Sequence, residues 1–194
     1  MTTTEFLDLR LRELLDRVAA PEPAPGGGSV LALVAALAAG ILAMAARASA
    51  DFWEDAGGVA AQAEMLRARA APLAQVDAET YERALAVRDD HADLDEERRD
   101  WEIGRAFAAA AEPPLQIARV AADIAELAQE VASRADQRLR PDALAAAALA
   151  SAVARACAEL VAVNLTATED DPRVREAHSH AEAAQRAAAT AFAA

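Results

Sequence analysis

An all-α domain is predicted by three observations. Ala and Leu dominate a chain that is 55% hydrophobic, aromatic residues make up only 4%, and apolar positions recur at intervals of three and four rather than in alternation. At 194 residues the sequence fits one domain, 1–194, whose core must be built from small side chains and leucine. The pattern resolves into a single-domain bundle of six or seven helices, the long ones rich in Ala and Leu.

Thr3 or Thr4 can cap a first helix that carries Phe6, Leu9, Leu11, Leu14, Leu15 and Val18 at helical spacing and ends near Ala20. Pro23-Ala24-Pro25-Gly26-Gly27-Gly28-Ser29 follows, and then no charged side chain until Arg47. A second helix over about 29–51 is apolar around most of its circumference, so it is expected to be the most buried element. Ser29 fits its N-cap, accepting from an otherwise free backbone N–H. Gly26, Gly27 and Gly28 would leave room for a ligand oxygen beside those N–H groups. Gly27→Val is therefore expected to damage binding or folding. Neither a G-x-x-x-x-G-K-[ST] loop nor a strand-borne G-x-G-x-x-G is present.

Gly57-Gly58 precedes a third helix over about 59–88 that Pro72 can break. The acidic stretch 89–95 reads as a solvated connection to a helix over 96–111, after which Pro113-Pro114 marks a kink or a new start. Ile117, Val120, Ile124, Leu127 and Val131 form a packing seam at steps of three and four. Pro141 and Asp142 open another Ala-rich helix to about Thr166, and a final helix begins near Arg173.

The formal charge of −13 disfavours nucleic acid as a partner. All 19 basic residues are Arg, which excludes lysine Schiff-base chemistry. The stretch 30–46 is uncharged but short for a membrane span, so no membrane partner is expected. The first 16 residues carry no basic-then-apolar signal, and a cytoplasmic location is expected. Cys157 is single and fits the core. No metal is expected, since His91 lacks a partner at ligand spacing and His178 and His180, two apart, do not share a helix face.

The segment Pro23-Ala24-Pro25-Gly26-Gly27-Gly28-Ser29-Val30-Leu31-Ala32-Leu33 resembles the P-T-P-G-G-G-S-x-A-A-L opening of the formiminotetrahydrofolate cyclodeaminase and methenyltetrahydrofolate cyclohydrolase family. The similarity runs to about Thr168 through Val76-Asp77-Ala78-Glu79-Thr80-Tyr81, Glu112-Pro113-Pro114-Leu115, Asp142-Ala143-Leu144-Ala145-Ala146 and Val163-Asn164-Leu165. This resemblance implies an all-helical homodimer that uses a reduced folate, a tetrahydrofolate derivative, as its substrate. Gly26, Gly27, Gly28 and Ser29 would shape the folate pocket, with Asp77, Asp142 and Asn164 as its polar side chains.

The chain departs from the family pattern in lacking lysine, in carrying Gln75 where a second acid is usual, and in having Leu160-Val161-Ala162 in place of Asn-x-Arg. In methenyltetrahydrofolate hydrolysis, water attacks the carbon of a cationic N5–CH–N10 bridge, and Asp77 is the candidate to orient or deprotonate it. Asp142 would either order its helix N-terminus or face the pterin and bridge nitrogens. Asn164 offers a donor and an acceptor to the pterin, or to a neighbouring helix end. Cyclodeamination also needs a proton for departing ammonia, which a single carboxylate serves less directly. Cyclohydrolase-like hydrolysis is thus favoured, with cyclodeaminase activity or a noncatalytic folate-binding scaffold as alternatives.

Overall fold

The computed structural model describes residues 5–89, 95–166 and 170–193. The cap expected at Thr3 or Thr4, and His91 with most of its acidic connection, fall outside the described residues. A 3-10 turn Phe6–Asp8 leads into α1 (Leu11–Val18), α2 (Gly27–Ala48), α3 (Ala56–Ala70), α4 (Leu73–Asp89), α5 (Glu96–Ala110), α6 (Glu112–Arg134), α7 (Arg140–Asn164) and α8 (Pro172–Ala193). No strand occurs among the described residues, and the all-α class holds.

Among the described residues eight α-helices stand where six or seven are predicted, because Pro72 lies in a short break that divides the third into α3 and α4. The first helix is shorter than its apolar pattern suggests. Extended backbone at Leu9 and Arg10 separates the buried Phe6 turn from α1, which buries no residue at all. Phe6 is held to α4 through its backbone N–H, which donates to Gln75 Oε1 at 3.2 Å. Pro113-Pro114 makes a new start, not a kink: both prolines occupy the first turn of α6, where the missing N–H groups need no intrahelical partner.

The most buried element is α6, a correction to the expectation for α2. Fourteen residues of α6 are buried against eleven of α2. The seam Ile117, Val120, Ile124, Leu127 and Val131 is buried along its whole length, and α6 packs there against α2, α7 and α8. Ala32, Ala35, Ala39, Leu42 and Ala46 give α2 its core face, while Leu37 and Met44 look outward. By length and composition α2 and α7 could each cross a membrane, yet each buries about half of its most apolar window within the bundle (56% and 44%). Ser49 pins the far end of α2, its hydroxyl donating to the Ala45 carbonyl at 2.8 Å and accepting from the Asp136 N–H at 3.0 Å. Helix α2 is thereby fixed at one end by a turn and at the other by the glycine segment.

Candidate active site

A cleft of about 270 Å³ opens where the α2 N-terminus meets α4 and the end of α7. Gly26, Gly27, Gly28, Asp77 and Asn164 all line it. Helix α2 delivers the glycines, α4 delivers Asp77 beside the buried Ala74 and Ala78, and α7 ends on Asn164.

Ser29 is not the N-cap. Helix α2 begins two residues earlier, with Gly26 at the cap position, and Ser29 is fully buried inside the first turn. Its hydroxyl donates instead to Asp77 Oδ2 at 3.2 Å, tying together residues 48 apart in sequence. The carboxylate of Asp77 thus takes the place expected for a ligand oxygen at the positive end of α2. The glycines contribute space, because none adopts positive φ. A Cβ on Gly28 would stand 2.2 Å from Asp77 Oδ1, so only glycine lets the carboxyl lie against the helix start. At Gly27 nothing lies within 4 Å of that position, which overturns the expectation that a side chain there would strain the turn; Gly27 faces open space.

Burial raises the Asp77 carboxyl above its ordinary value of 3.8, against the lowering pull of the Ser29 hydroxyl and backbone amide. Among the described residues that line the cleft, Asp77 is the one charged side chain. Behind it lies Cys157, fully buried in α7. Burial, and secondarily the Asp77 charge, push its thiol pKa up, so it stays protonated and belongs to the core.

Asn164 does two things at once. Its Nδ2 donates to the Ala110 carbonyl at 3.1 Å, satisfying an open carbonyl at the end of α5, while its side chain borders the cleft. Its amide oxygen makes no hydrogen bond among the described residues, which leaves an acceptor for a ligand donor. Asp142 is not brought into this cleft. It occupies the first turn of α7, 22 positions before Asn164 on the same helix. At a rise of about 1.5 Å per residue the two are about 33 Å apart, and the helix-start role is the one the fold permits within a single chain.

Sequence reasoning passed over Tyr81, which lies one helical turn beyond Asp77 on the same face of α4 and also borders the cleft. Its ring meets Phe107 of α5 edge-on, with centroids 6.3 Å apart. The i, i+4 spacing from Asp77 was the available signal. Among the described residues no group of three or more His, Cys, Asp or Glu side chains could hold a metal ion.

Comparison with known proteins bears on the fold and the family. No curated relative matches the sequence at a significant level. The structure of formiminotetrahydrofolate cyclodeaminase from Thermotoga maritima superimposes with a TM-score of 0.79 at 25% identity, covering 97% of this chain and 94% of that one. The formiminotransferase-cyclodeaminase family model matches residues 10–183, a span holding every element of the cleft, and the chain therefore belongs to the formiminotransferase-cyclodeaminase family.

Proposed function

We propose that this protein is an enzyme of folate-linked one-carbon metabolism that hydrolyses the methenyl bridge of 5,10-methenyltetrahydrofolate. The observation that carries the reading is Asp77, a half-buried carboxyl with a raised pKa, the sole charge among the described residues of a cleft shaped by Gly26, Gly27 and Gly28. Such a cleft favours a cationic head group, and a carboxyl with a raised pKa is suited to general-base work nearer neutrality.

In this mechanism the Asp77 carboxylate accepts a proton from water as the oxygen adds to the bridge carbon. The cationic bridge becomes a neutral N5–CH(OH)–N10 adduct. Protonated Asp77 then gives its proton to N5 as the C–N5 bond breaks, and the hydroxyl proton is lost to solvent as the 10-formyl group forms. The Ser29 hydroxyl, on Asp77 Oδ2, limits the rise in pKa and fixes the carboxyl plane. Useful catalysis requires that the adduct-forming transition state gain more than the bound cation.

A second reading, formimino cyclodeamination, is favoured by the name of the Thermotoga maritima structure. There the formimino group would react as its protonated form, N5–CH=NH2+: Asp77 would take the N10 proton as N10 adds to the formimino carbon, then give it to the resulting amino group, which leaves as ammonia and yields the methenyl cation. The two readings separate in one experiment: incubation with 5,10-methenyl- and 5-formiminotetrahydrofolate, following bridge opening and ammonia release independently. Bridge opening without ammonia release supports hydrolysis, the reverse supports cyclodeamination, and folate binding without turnover supports a scaffold that has lost catalysis.

We extend the proposal to a homodimer built on α2. Leu37, 67% exposed, and Met44 look outward, and the half-buried Val34 and Ile41 continue the same stripe at helical spacing. An apolar stripe of this kind on a long helix suits a second copy of the same chain.

A further inference from the structure

The glycine turn borders two hollows. Besides the Asp77 cleft, a groove of about 530 Å³ that Asp77 does not line runs between the start of α2 and α7, lined by Val18, Val30, Leu31 and Ala156. Gly26, Gly27 and Leu160 line both the groove and the cleft, so the two meet at the turn. At that boundary the Cβ position of Gly27 meets nothing within 4 Å, whereas that of Gly28 is filled by Asp77.

The sizes matter. Pockets that enclose drug-sized ligands run from about 300 to 1,000 Å³. The Asp77 cleft, at about 270 Å³, is too small for a whole reduced folate but suits its bicyclic head. The side chains lining the groove are apolar apart from Glu22, the one charged side chain among its described lining residues. It therefore fits a flat uncharged ring and repels a carboxylate.

We propose that a reduced folate lies across Gly27, with its pterin head in the Asp77 cleft and its aryl amide ring in the groove against Val30, Leu31 and Ala156. The glutamyl carboxylates leave the groove into solvent, away from Glu22. This placement rests on the folate reading above and adds to it a subsite for the tail. Gly27 is then a passage for the ligand and not a residue needed by the turn.

The test compares tetrahydrofolate with 6-methyltetrahydropterin, which has the reduced ring without the benzoylglutamate, on the parent protein and on Val30→Asp and Ala156→Phe. Both positions line the groove and not the cleft. An acid at position 30 also lies close to the positive end of α2, which accommodates it. Calorimetry should show tetrahydrofolate weakened about tenfold or more in both variants, and the pterin unchanged within about twofold. Unchanged tetrahydrofolate affinity, or equal losses for both ligands, overturns the tail placement while leaving the folate reading intact. A variant that changes subunit size and not ligand affinity assigns the groove to a subunit contact and also overturns it. Failure of the parent to bind tetrahydrofolate overturns the folate reading, and the subsite with it. Circular dichroism of each variant identifies one that has failed to fold, and the other then carries the comparison.

Discussion

The carboxyl of Asp77 rests against the Cα of Gly28, so closely that a Cβ there would stand 2.2 Å from Oδ1 and 2.5 Å from Oδ2. Gly28→Ala must therefore push Asp77 off the α2 start or bend the first turn. The expected loss is about 1–3 kcal/mol of stability, together with loss of turnover. Gly27→Ala meets nothing within 4 Å and should leave stability equal or slightly raised, since Ala suits a helix better than Gly. Chemical denaturation of the two variants side by side checks the ranking, and equal destabilisation defeats it.

Asp77→Asn removes the proposed base while keeping the shape. Turnover of methenyltetrahydrofolate should fall about 100-fold or more with helicity intact. The effect on stability has a definite sign. The folded pKa of Asp77 is raised above 3.8, so its favourable contribution is fully present below the unfolded value and is lost as pH rises through the folded value. Urea titrations from pH 3 to 8 should show the parent losing stability across that window relative to Asp77→Asn. A variant with parental turnover removes Asp77 from the mechanism.

Ser29→Ala takes away a hydrogen bond that lowers the Asp77 pKa, leaving burial less opposed. The carboxyl should titrate at higher pH, moving the acid limb of the pH–rate profile upward. An unmoved acid limb in a folded variant would mean that the titration seen in the rate belongs to another group.

The helical class and the α6 seam are legible in the sequence because both follow from spacing along one element, as with Ile117, Ile124 and Val131. Gly26, Gly27, Gly28, Asp77 and Asn164 were also legible as candidates, through the family resemblance, and the fold brings them to one cleft. What a linear reading misses is pairing across elements. Ser29 looks like a cap because it follows three glycines, but Asp77, 48 residues away, supplies the oxygen at that helix start. The crowded glycine could not be told from its neighbour without knowing where Asp77 lies. Asp142 fails for a different reason: helix length alone separates it from Asn164, a check the predicted span of 141–166 already allowed.

The outward face of α2 makes the remaining prediction. Leu37 is 67% exposed and Met44 43% exposed on a helix whose other face is buried alanine and leucine. Leu37→Asp touches no core contact in a single chain, so monomer stability should change by no more than about 1 kcal/mol. If a second copy covers this face, the new carboxylate must be buried without a partner, and self-association should weaken about tenfold or more. Light scattering across a dilution series reads the outcome directly. A parent that stays monomeric at every concentration defeats the dimer, and a Leu37→Asp variant that dimerises as tightly as the parent moves the interface to another face of the bundle.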